Sequence, residues 1–262
     1  MRVRIAAPVL TGALVLGALA VPTAAFAATA KPVITGAVSP SITLGLSGTI
    51  TMGVTVSAAD ASGIKAIYAE PYPVALSQEY GSVPTAAELK SNGSDNLLKV
   101  ESSTATTQKA GRLEREAVPS SAGLPNEMAG TWGFAVLVVA KNGATTFNPK
   151  AATFTWARAD QLTSKVSATQ VRKGTDLTVK GQLNRVNWTS HVYQGYGAQP
   201  VLLEFRKSGS AAWTTVERVT SSRTGALSAT VKDDANGSWR YVYAGNATSG
   251  SAASTQTWVG LK

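Results

Sequence analysis

Short segments with alternating apolar and polar residues, separated by turn residues, are the feature that most restricts the fold of this chain. Leu227, Ala229 and Val231 alternate with Ser, Thr and Lys, for example, after the turn-forming run 221–225. A period of two places successive side chains on opposite faces of a β-strand, whereas an amphipathic helix needs a period near 3.6. The frequent Gly, Ser, Asn and Asp residues end each run within a few residues. The sequence therefore predicts an all-β fold built from short strands.

The second half of the chain carries the clearest strands. Val201 and Leu203 share one face of a predicted strand, and Glu204 and Arg206 share the other. Counting from Leu162, about seven strands occur in about 100 residues, which is the number and spacing of an immunoglobulin-like β-sandwich. The predicted C-terminal domain is therefore an Ig-like β-sandwich over residues 158–262.

The first half predicts a second β-sandwich, over residues 28–157, with a long insertion from 71 to 121. Its predicted strands cover 49–57, 63–70, 97–102, 131–140 and 151–156. The run 132–140 is almost wholly apolar, which favours a central strand buried on both faces. Thr85 and Glu88 have the spacing of a capping box, so a short helix is predicted near residues 86–91.

Two predicted strands end alike, which helps to divide the chain. The segment Ala152-Thr-Phe-Thr-Trp156 resembles Ser254-Thr-Gln-Thr-Trp258, so each segment could be the last strand of its sandwich. The predicted linker between the sandwiches covers residues 157–162.

The first 27 residues have the pattern of a secretory signal peptide. Arg2 and Arg4 precede an apolar run from Ala6 to Val21, and Ala25-Phe-Ala27 fits the small-x-small rule for cleavage. Cleavage is therefore predicted after Ala27, which would give a secreted, extracellular protein. The apolar run is shorter than a membrane-spanning helix, and no other segment predicts one in the mature chain.

Residue usage excludes several kinds of site. The chain has no cysteine and one histidine, His191, which excludes disulfides, thiolate metal sites, cysteine nucleophiles and multi-histidine metal centres. The acidic turn 233–237 lacks the spacing of a calcium-binding loop. We therefore predict no cofactor and no metal, and the protein is expected not to be an enzyme.

The positive charge is concentrated in one half of the mature chain. The full sequence has a formal net charge of +9. Residues 28–157 carry nine Lys and Arg against nine Asp and Glu, whereas residues 158–262 carry thirteen against six, a net charge of +7. An excess of this kind attracts anionic partners. The predicted partner outside a cell is an anionic cell-wall polymer or polysaccharide.

Five basic residues are the candidates for contact with such a polymer. Lys180, Arg206 and Arg240 lie at strand positions that alternate with apolar residues, so they are predicted to point outward. The full candidate set is Lys180, Arg185, Arg206, Lys207 and Arg240. The basic residues are scattered, without the packed runs or stacking motifs of a dedicated nucleic-acid module. A basic surface that only increases solubility is the alternative.

An aromatic cluster is the second candidate site. The segment 187–197 is predicted to be a loop, and it holds Trp188, His191, Tyr193 and Tyr196. Flat aromatic faces can stack on a sugar ring, so these four residues are candidate ligand-binding residues. The alternative is that Trp188 and Tyr196 close the open end of the sandwich.

A carbohydrate-active protein is the alternative function. It could be a carbohydrate-binding module, or a glycoside hydrolase that uses two carboxylates of the first half. Glu114 and Glu116 would lie on one face if their segment is a strand, although the adjacent Arg112 and Arg115 favour a solvated charged surface.

Three segments of the second half carry a resemblance to a known group of domains. They are 171–183 with Lys-Gly-Thr-Asp-Leu-Thr-Val-Lys-Gly, 195–205 with Gln-Pro-Val-Leu-Leu-Glu-Phe, and 237–245 with Gly-Ser-Trp-Arg-Tyr-Val-Tyr-Ala-Gly. These segments resemble the Ig-like domains of secreted actinobacterial proteins. The resemblance implies an Ig-like fold, and such domains serve as spacers, adhesive modules and wall-associated parts. The resemblance implies little about function, because fold alone does not identify one. The prediction of a non-enzymatic binding or structural protein depends instead on the signal peptide, the one-sided charge and the scarcity of catalytic residue types.

Overall fold

The structure, a computed structural model, describes residues 30–75, 82–118 and 124–262, and strands account for most of them. It confirms the all-β fold. The predicted signal peptide, 1–27, lies outside the described residues.

Two β-sandwiches follow each other along the chain. The strands of the first sandwich are β1 (Val33–Val38), β2 (Ile42–Leu44), β3 (Gly48–Ala59), β4 (Ile64–Pro73), β5 (Lys99–Ser103), β6 (Thr107–Val118), β7 (Gly130–Ala140) and β8 (Thr145–Arg158). The strands of the second sandwich are β9 (Asp160–Val166), β10 (Gln170–Val171), β11 (Thr175–Asn187), β12 (Val192–Gly195), β13 (Pro200–Lys207), β14 (Thr214–Thr220), β15 (Ala226–Asp233), β16 (Gly237–Tyr243), β17 (Ala252–Ala253) and β18 (Thr257–Leu261). The described helices are α1 (Ala86–Ser91), α2 (Gly93–Asn96) and a 3₁₀ turn (Asn126–Met128).

The two sandwiches share most of their strand arrangement and differ at one edge, where β5 pairs with β6 in the first and β14 pairs with β13 in the second. In the first, the sheet β1-β3-β6-β5 faces the sheet β2-β8-β7-β4. In the second, β9, β11 and β15 form one sheet with β12 at its edge, and β10-β18-β16-β13-β14 form the other, in which β17 also pairs with β16. In each sandwich a short early strand, β2 or β10, pairs in parallel with the last strand. This is an Ig-like arrangement, which the sequence analysis assigned only to the second sandwich.

Each sandwich buries its own apolar core. Side chains with almost no exposure fill the space between the sheets. In the first sandwich they include Val56, Ile67, Phe134, Val136 and Trp156. In the second they include Leu177, Leu203, Trp239, Tyr241 and Val259. The alternation that the period-two patterns predict is complete in β15, where exposed and buried residues follow each other over all eight positions.

Strand β7 is buried on both faces, as predicted. Every residue from Trp132 to Ala140 is buried, and β7 lies between β4 and β8. Helix α1 covers the outer face, where Leu89 packs with Leu137 and Val139. The predicted capping box is also confirmed, because the hydroxyl of Thr85 accepts from the backbone N–H of Glu88.

Three predictions about local structure were wrong or incomplete. The segment 187–197 is a β-hairpin and not a loop, because β12 pairs with the end of β11. Strands β1 and β2 were missed, since each is short and gains its pairing from strands that do not follow it directly in the chain. The predicted linker is not a free segment, because only Ala159 separates β8 from β9. Its backbone N–H donates to Leu44 and its carbonyl accepts from Val186.

Candidate functional site

The junction between the two sandwiches holds part of the predicted aromatic cluster. Trp188 follows β11, is 4% exposed and belongs to the core of the first sandwich. Its ring centroid lies 5.7 Å from that of Trp156, and its indole N–H donates to the Leu44 carbonyl at 3.2 Å. Trp188 therefore cannot be an exposed stacking surface, and its position agrees with the alternative that it closes the end of a sandwich.

One asparagine connects residues at this junction by hydrogen bonds. Asn126, from the first sandwich, accepts at Oδ1 from Nη1 of Arg158 at 2.8 Å and from the backbone N–H of Trp188 at 3.0 Å. Its Nδ2 donates to Oδ1 of Asn187 at 2.8 Å. The hairpin of the second sandwich is thus hydrogen-bonded to the first.

The other three aromatic candidates do not form one platform. His191 is in the hairpin turn with φ of 54°, which is the left-handed region. Tyr193 packs partly against the core of the first sandwich. Tyr196 packs in the second sandwich, with its ring 6.0 Å from that of Tyr243 and the Cζ atom of Arg185 3.7 Å from its ring centroid. A role of these three residues in ligand binding stays a prediction.

A carboxylate lies among the charged groups of the junction. Burial raises the pKa of Asp160 to about 7, while the guanidinium groups of Arg185 and Arg158 offset only part of that increase. Burial and the neighbouring Arg185 also lower the pKa of Arg158. Arg185 itself donates from Nη1 to the hydroxyl groups of Ser249 and Thr248 at 3.1 and 3.5 Å, so it has structural partners at the junction.

The five predicted polymer-contacting residues are divided among three places. Lys180 is exposed on β11, directly opposite the exposed Lys165 of β9. Arg206, Lys207 and Arg240 lie on β13 and β16, in the opposite sheet of the same sandwich. Arg185 lies at the junction. One ligand segment that lies flat on a sheet would therefore reach only one of these groups.

The outer face of the sheet containing β13 and β16 brings two arginines together with tryptophan. The Cζ atoms of Arg240 and Arg206 lie 4.0 and 4.8 Å from the ring centroid of Trp213. Trp258, on the neighbouring β18, is 51% exposed. We call Arg206, Trp213, Arg240 and Trp258 the arginine–tryptophan face.

The two arginines of this face have different partners. Arg240 donates from Nε and Nη2 to Oε2 of Glu204 at 2.9 and 2.8 Å, which compensates its charge. Arg206 donates from Nη2 to the neutral Oε1 of Gln256 at 2.7 Å. Within the part of the chain that the structure describes, Arg206 forms no ion pair. Its charge is therefore available to an anion.

Sequence reasoning missed Trp213, Gln256 and Trp258. Trp258 precedes the core residue Val259, so the alternation of β18 could have placed its side chain outside. Trp213 lies in the segment before β14, where no periodicity indicates a direction. Only the pairing of β13 with β16 brings Arg206 and Arg240 to the same tryptophan.

Four other features of the described residues bear on possible binding sites, metal sites, membrane spans and catalytic carboxylates. A groove of about 660 Å³ lies on the first sandwich between Val38 of β1 and Val100 of β5. In residues 30–75, 82–118 and 124–262, no group of three His, Cys, Asp or Glu side chains could hold a metal ion. No helix in these ranges is long and apolar enough to cross a membrane. Glu114 and Glu116 are in strand β6, but their side chains lie outside the described structure.

Comparison with known proteins gives similarity of fold at a low level. A scan against models of protein families and a search of curated proteins find no match. Among solved structures, the D00-D0 domain of intimin has a TM-score of 0.28 and 14% identity over 87% of this chain and 98% of that chain. FdeC, an Escherichia coli adhesin, has a TM-score of 0.30 and 12% identity over 88% of this chain and 66% of that chain. The Yersinia pseudotuberculosis adhesin InvE has a TM-score of 0.28 and 13% identity over 87% of this chain and 58% of that chain. Similarities this low do not identify a function.

Proposed function

We propose that this protein is an extracellular, non-enzymatic binding protein whose second sandwich contacts an anionic cell-surface polymer. The observation that carries the proposal is the arginine–tryptophan face, where Arg206 presents a guanidinium group without a carboxylate partner among the described residues. A guanidinium group offers several N–H donors in a plane, which suits carboxylate and phosphate groups.

The distribution of charge supports this proposal. The excess charge of +7 belongs to residues 158–262, and only Lys232 and Arg240 form ion pairs in the described part of this region. The other basic side chains leave a positive potential around the sandwich, which attracts a polyanion and is screened by salt.

Secretion and the division into domains are parts of the same proposal. Residues 1–27 would be removed as a signal peptide, and the domains would divide between residues 157 and 158. The division is supported by the sheets, since β1 to β8 pair only among themselves, as do β9 to β18, apart from one bridge from Arg158 to Ser249. The resemblance to domains of secreted actinobacterial proteins suggests the wall of such a bacterium as the source of the polymer.

Sedimentation with purified actinobacterial cell wall tests the proposal. The mature chain, residues 28–262, should be retained at low salt and released as salt increases. Arg206→Gln should weaken retention several-fold, because it removes an uncompensated charge from the proposed face. Lys180→Gln is the matched control, since it removes one charge from the opposite sheet.

Two results would count against the proposal. Absence of retention at low salt would exclude contact with the wall polymer. Equal effects of Arg206→Gln and Lys180→Gln would show that the general charge of the sandwich binds the polymer, and not the arginine–tryptophan face.

A further inference from the structure

We infer that the arginine–tryptophan face binds an acidic sugar unit, in which Trp258 stacks on the sugar ring and Arg206 binds its carboxylate or phosphate. This inference rests on the proposed function and names the class of ligand. A polyanion without sugar rings would need only the charge of Arg206, so the exposed indole is what distinguishes the two classes of ligand.

Trp258 is unusual among the tryptophans of this chain. The sequence has six, of which Trp132, Trp156, Trp188 and Trp239 are buried. Trp258 is 51% exposed on the outer face of a regular strand, next to core residue Val259. A rigid strand holds its ring without a cost in loop ordering, and a flat apolar ring with an N–H group suits the face of a sugar.

The position of Arg206 relative to Trp258 follows from the strand register. Ser238 of β16 pairs with Trp258 on one side and with Arg206 on the other. The backbones of Arg206 and Trp258 are therefore two strand spacings apart, about 10 Å. The guanidinium group of Arg206 extends across β16 to Gln256, two residues before Trp258. The charge and the exposed ring are thus neighbours, as a ring with an attached anionic group requires.

The remaining members of the face orient Arg206. Trp213 lies against the guanidinium groups of both Arg206 and Arg240. Glu204 holds Arg240 with two hydrogen bonds and compensates its charge. Arg240 and Trp213 are therefore positioning residues, and Arg206 supplies the charge that binds the anion. Gln256 offers an amide group beside it for a sugar hydroxyl.

Binding of the mature chain to four soluble polymers tests this inference by affinity electrophoresis at low salt. The polymers are polygalacturonate, phosphorylated dextran, unmodified dextran and poly-L-glutamate. We expect binding to polygalacturonate, to phosphorylated dextran or to both, and weaker binding to poly-L-glutamate. The first two polymers distinguish a carboxylate from a phosphate on the sugar.

Substitutions then separate stacking from charge. Trp258→Ala should weaken binding of the acidic polysaccharide about five- to tenfold, with Trp258→Phe in between, because stacking on an aromatic ring contributes on this scale. It should leave the weaker binding of poly-L-glutamate unchanged. Arg206→Gln should weaken both. Phe147→Ala is the matched control, since it removes a part-exposed aromatic ring from the first sandwich.

The outcomes separate this inference from the proposed function. Equal binding of poly-L-glutamate and the acidic polysaccharides, with no effect of Trp258→Ala, would overturn the inference and leave the proposed function intact. Failure to bind any anionic polymer would overturn both.

Discussion

The two sandwiches share most of their strand arrangement, yet they place two similar segments differently. Trp156 ends the segment Ala152–Trp156 and Trp258 ends the similar segment Ser254–Trp258. In the first sandwich Trp156 pairs with Gly130, the first residue of β7. In the second sandwich the first residue of β16 pairs with Val259. Trp258 therefore lies one residue before the position that corresponds to Trp156. Trp156 is consequently 3% exposed and Trp258 is 51% exposed.

This difference shows how one step of register can change the role of a side chain. Because side chains alternate between the faces of a strand, a shift by one residue moves a ring from the core to the surface. The tryptophan that stabilises the neutral sandwich has a counterpart on the basic sandwich that is free to contact a ligand.

The largest expected effect tests this comparison directly. Trp156→Ala should lower the free energy of unfolding by about 3–5 kcal/mol, because it leaves a cavity beside Trp132 and Trp188. Trp258→Ala should change it by less than about 0.5 kcal/mol, as expected for an exposed residue. Urea denaturation of the mature chain measures both. Similar losses in the two variants would contradict the register difference.

Trp188→Ala tests whether the two sandwiches unfold together. Removing a ring that the second sandwich inserts into the core of the first should destabilise the protein by about 3 kcal/mol. It should also uncouple the sandwiches, so that unfolding monitored by tryptophan fluorescence and by circular dichroism no longer coincides. His191→Ala, in the same hairpin, is the control. A single transition with an unchanged midpoint would mean that Trp188 does not couple them.

Tyr241 and Phe134, which end similar segments of the two sandwiches, allow a further comparison of the cores. The second sandwich has Gly-Ser-Trp-Arg-Tyr241 where the first has Gly-Thr-Trp-Gly-Phe134. The hydroxyl of Tyr241 donates to the buried carbonyl of Val179 at 2.7 Å. Tyr241→Phe, which reproduces the first sandwich, should cost about 1–2 kcal/mol of unfolding free energy. Tyr72→Phe should lower the free energy of unfolding by less, because the hydroxyl of Tyr72 donates its hydrogen bond to the Pro149 carbonyl in a part-buried site. An unchanged stability of Tyr241→Phe would show that the hydrogen bond contributes nothing.

The smallest effect concerns the boundary between the sandwiches. The pKa of Asp160 is raised from 3.8 to about 7 in the folded protein, so the folded state holds this proton more tightly than the unfolded state. Stability is therefore expected to fall as the pH rises from about 4 to about 7. Asp160→Asn removes the ionisable group and with it this pH dependence. The free energy of unfolding of the variant should exceed that of the wild type by about 1 kcal/mol at pH 8, after solvent screening of a partly exposed group, and should equal it at pH 4.

Thermal unfolding at a series of pH values measures this difference. Asp176→Asn is the control, because Asp176 forms an exposed ion pair with Lys232 at 2.7 Å. A wild type that is more stable than Asp160→Asn at pH 8 would show that Arg158 and Arg185 more than compensate the burial of the carboxylate.

Much of the fold could be predicted from local patterns. The alternation in β13 and β15, the apolar run in β7 and the capping box at Thr85 each depend on residues close together in sequence. Strands β1 and β2 could not be predicted in this way. They are short, and they are held by pairing with strands that do not follow them directly in the chain, β3 and β8.

The candidate site was only partly accessible to the sequence. The alternation of apolar and polar residues predicted that Arg206 and Arg240 point outward. The sequence-based prediction also grouped these arginines with Lys180 and Arg185, which the folded chain places on the opposite sheet and at the junction. It selected Trp188 for its aromatic neighbours, whereas packing buried that ring in the other sandwich.

By itself, the sequence determined the all-β class, the absence of disulfides and the concentration of positive charge in the second half. These properties depend on composition and on the period of the side chains, which are the same in any conformation. The tertiary structure decided which tryptophans are buried and which arginines meet. Those outcomes depend on strand register and sheet order, because these bring residues distant in the chain within reach of one another.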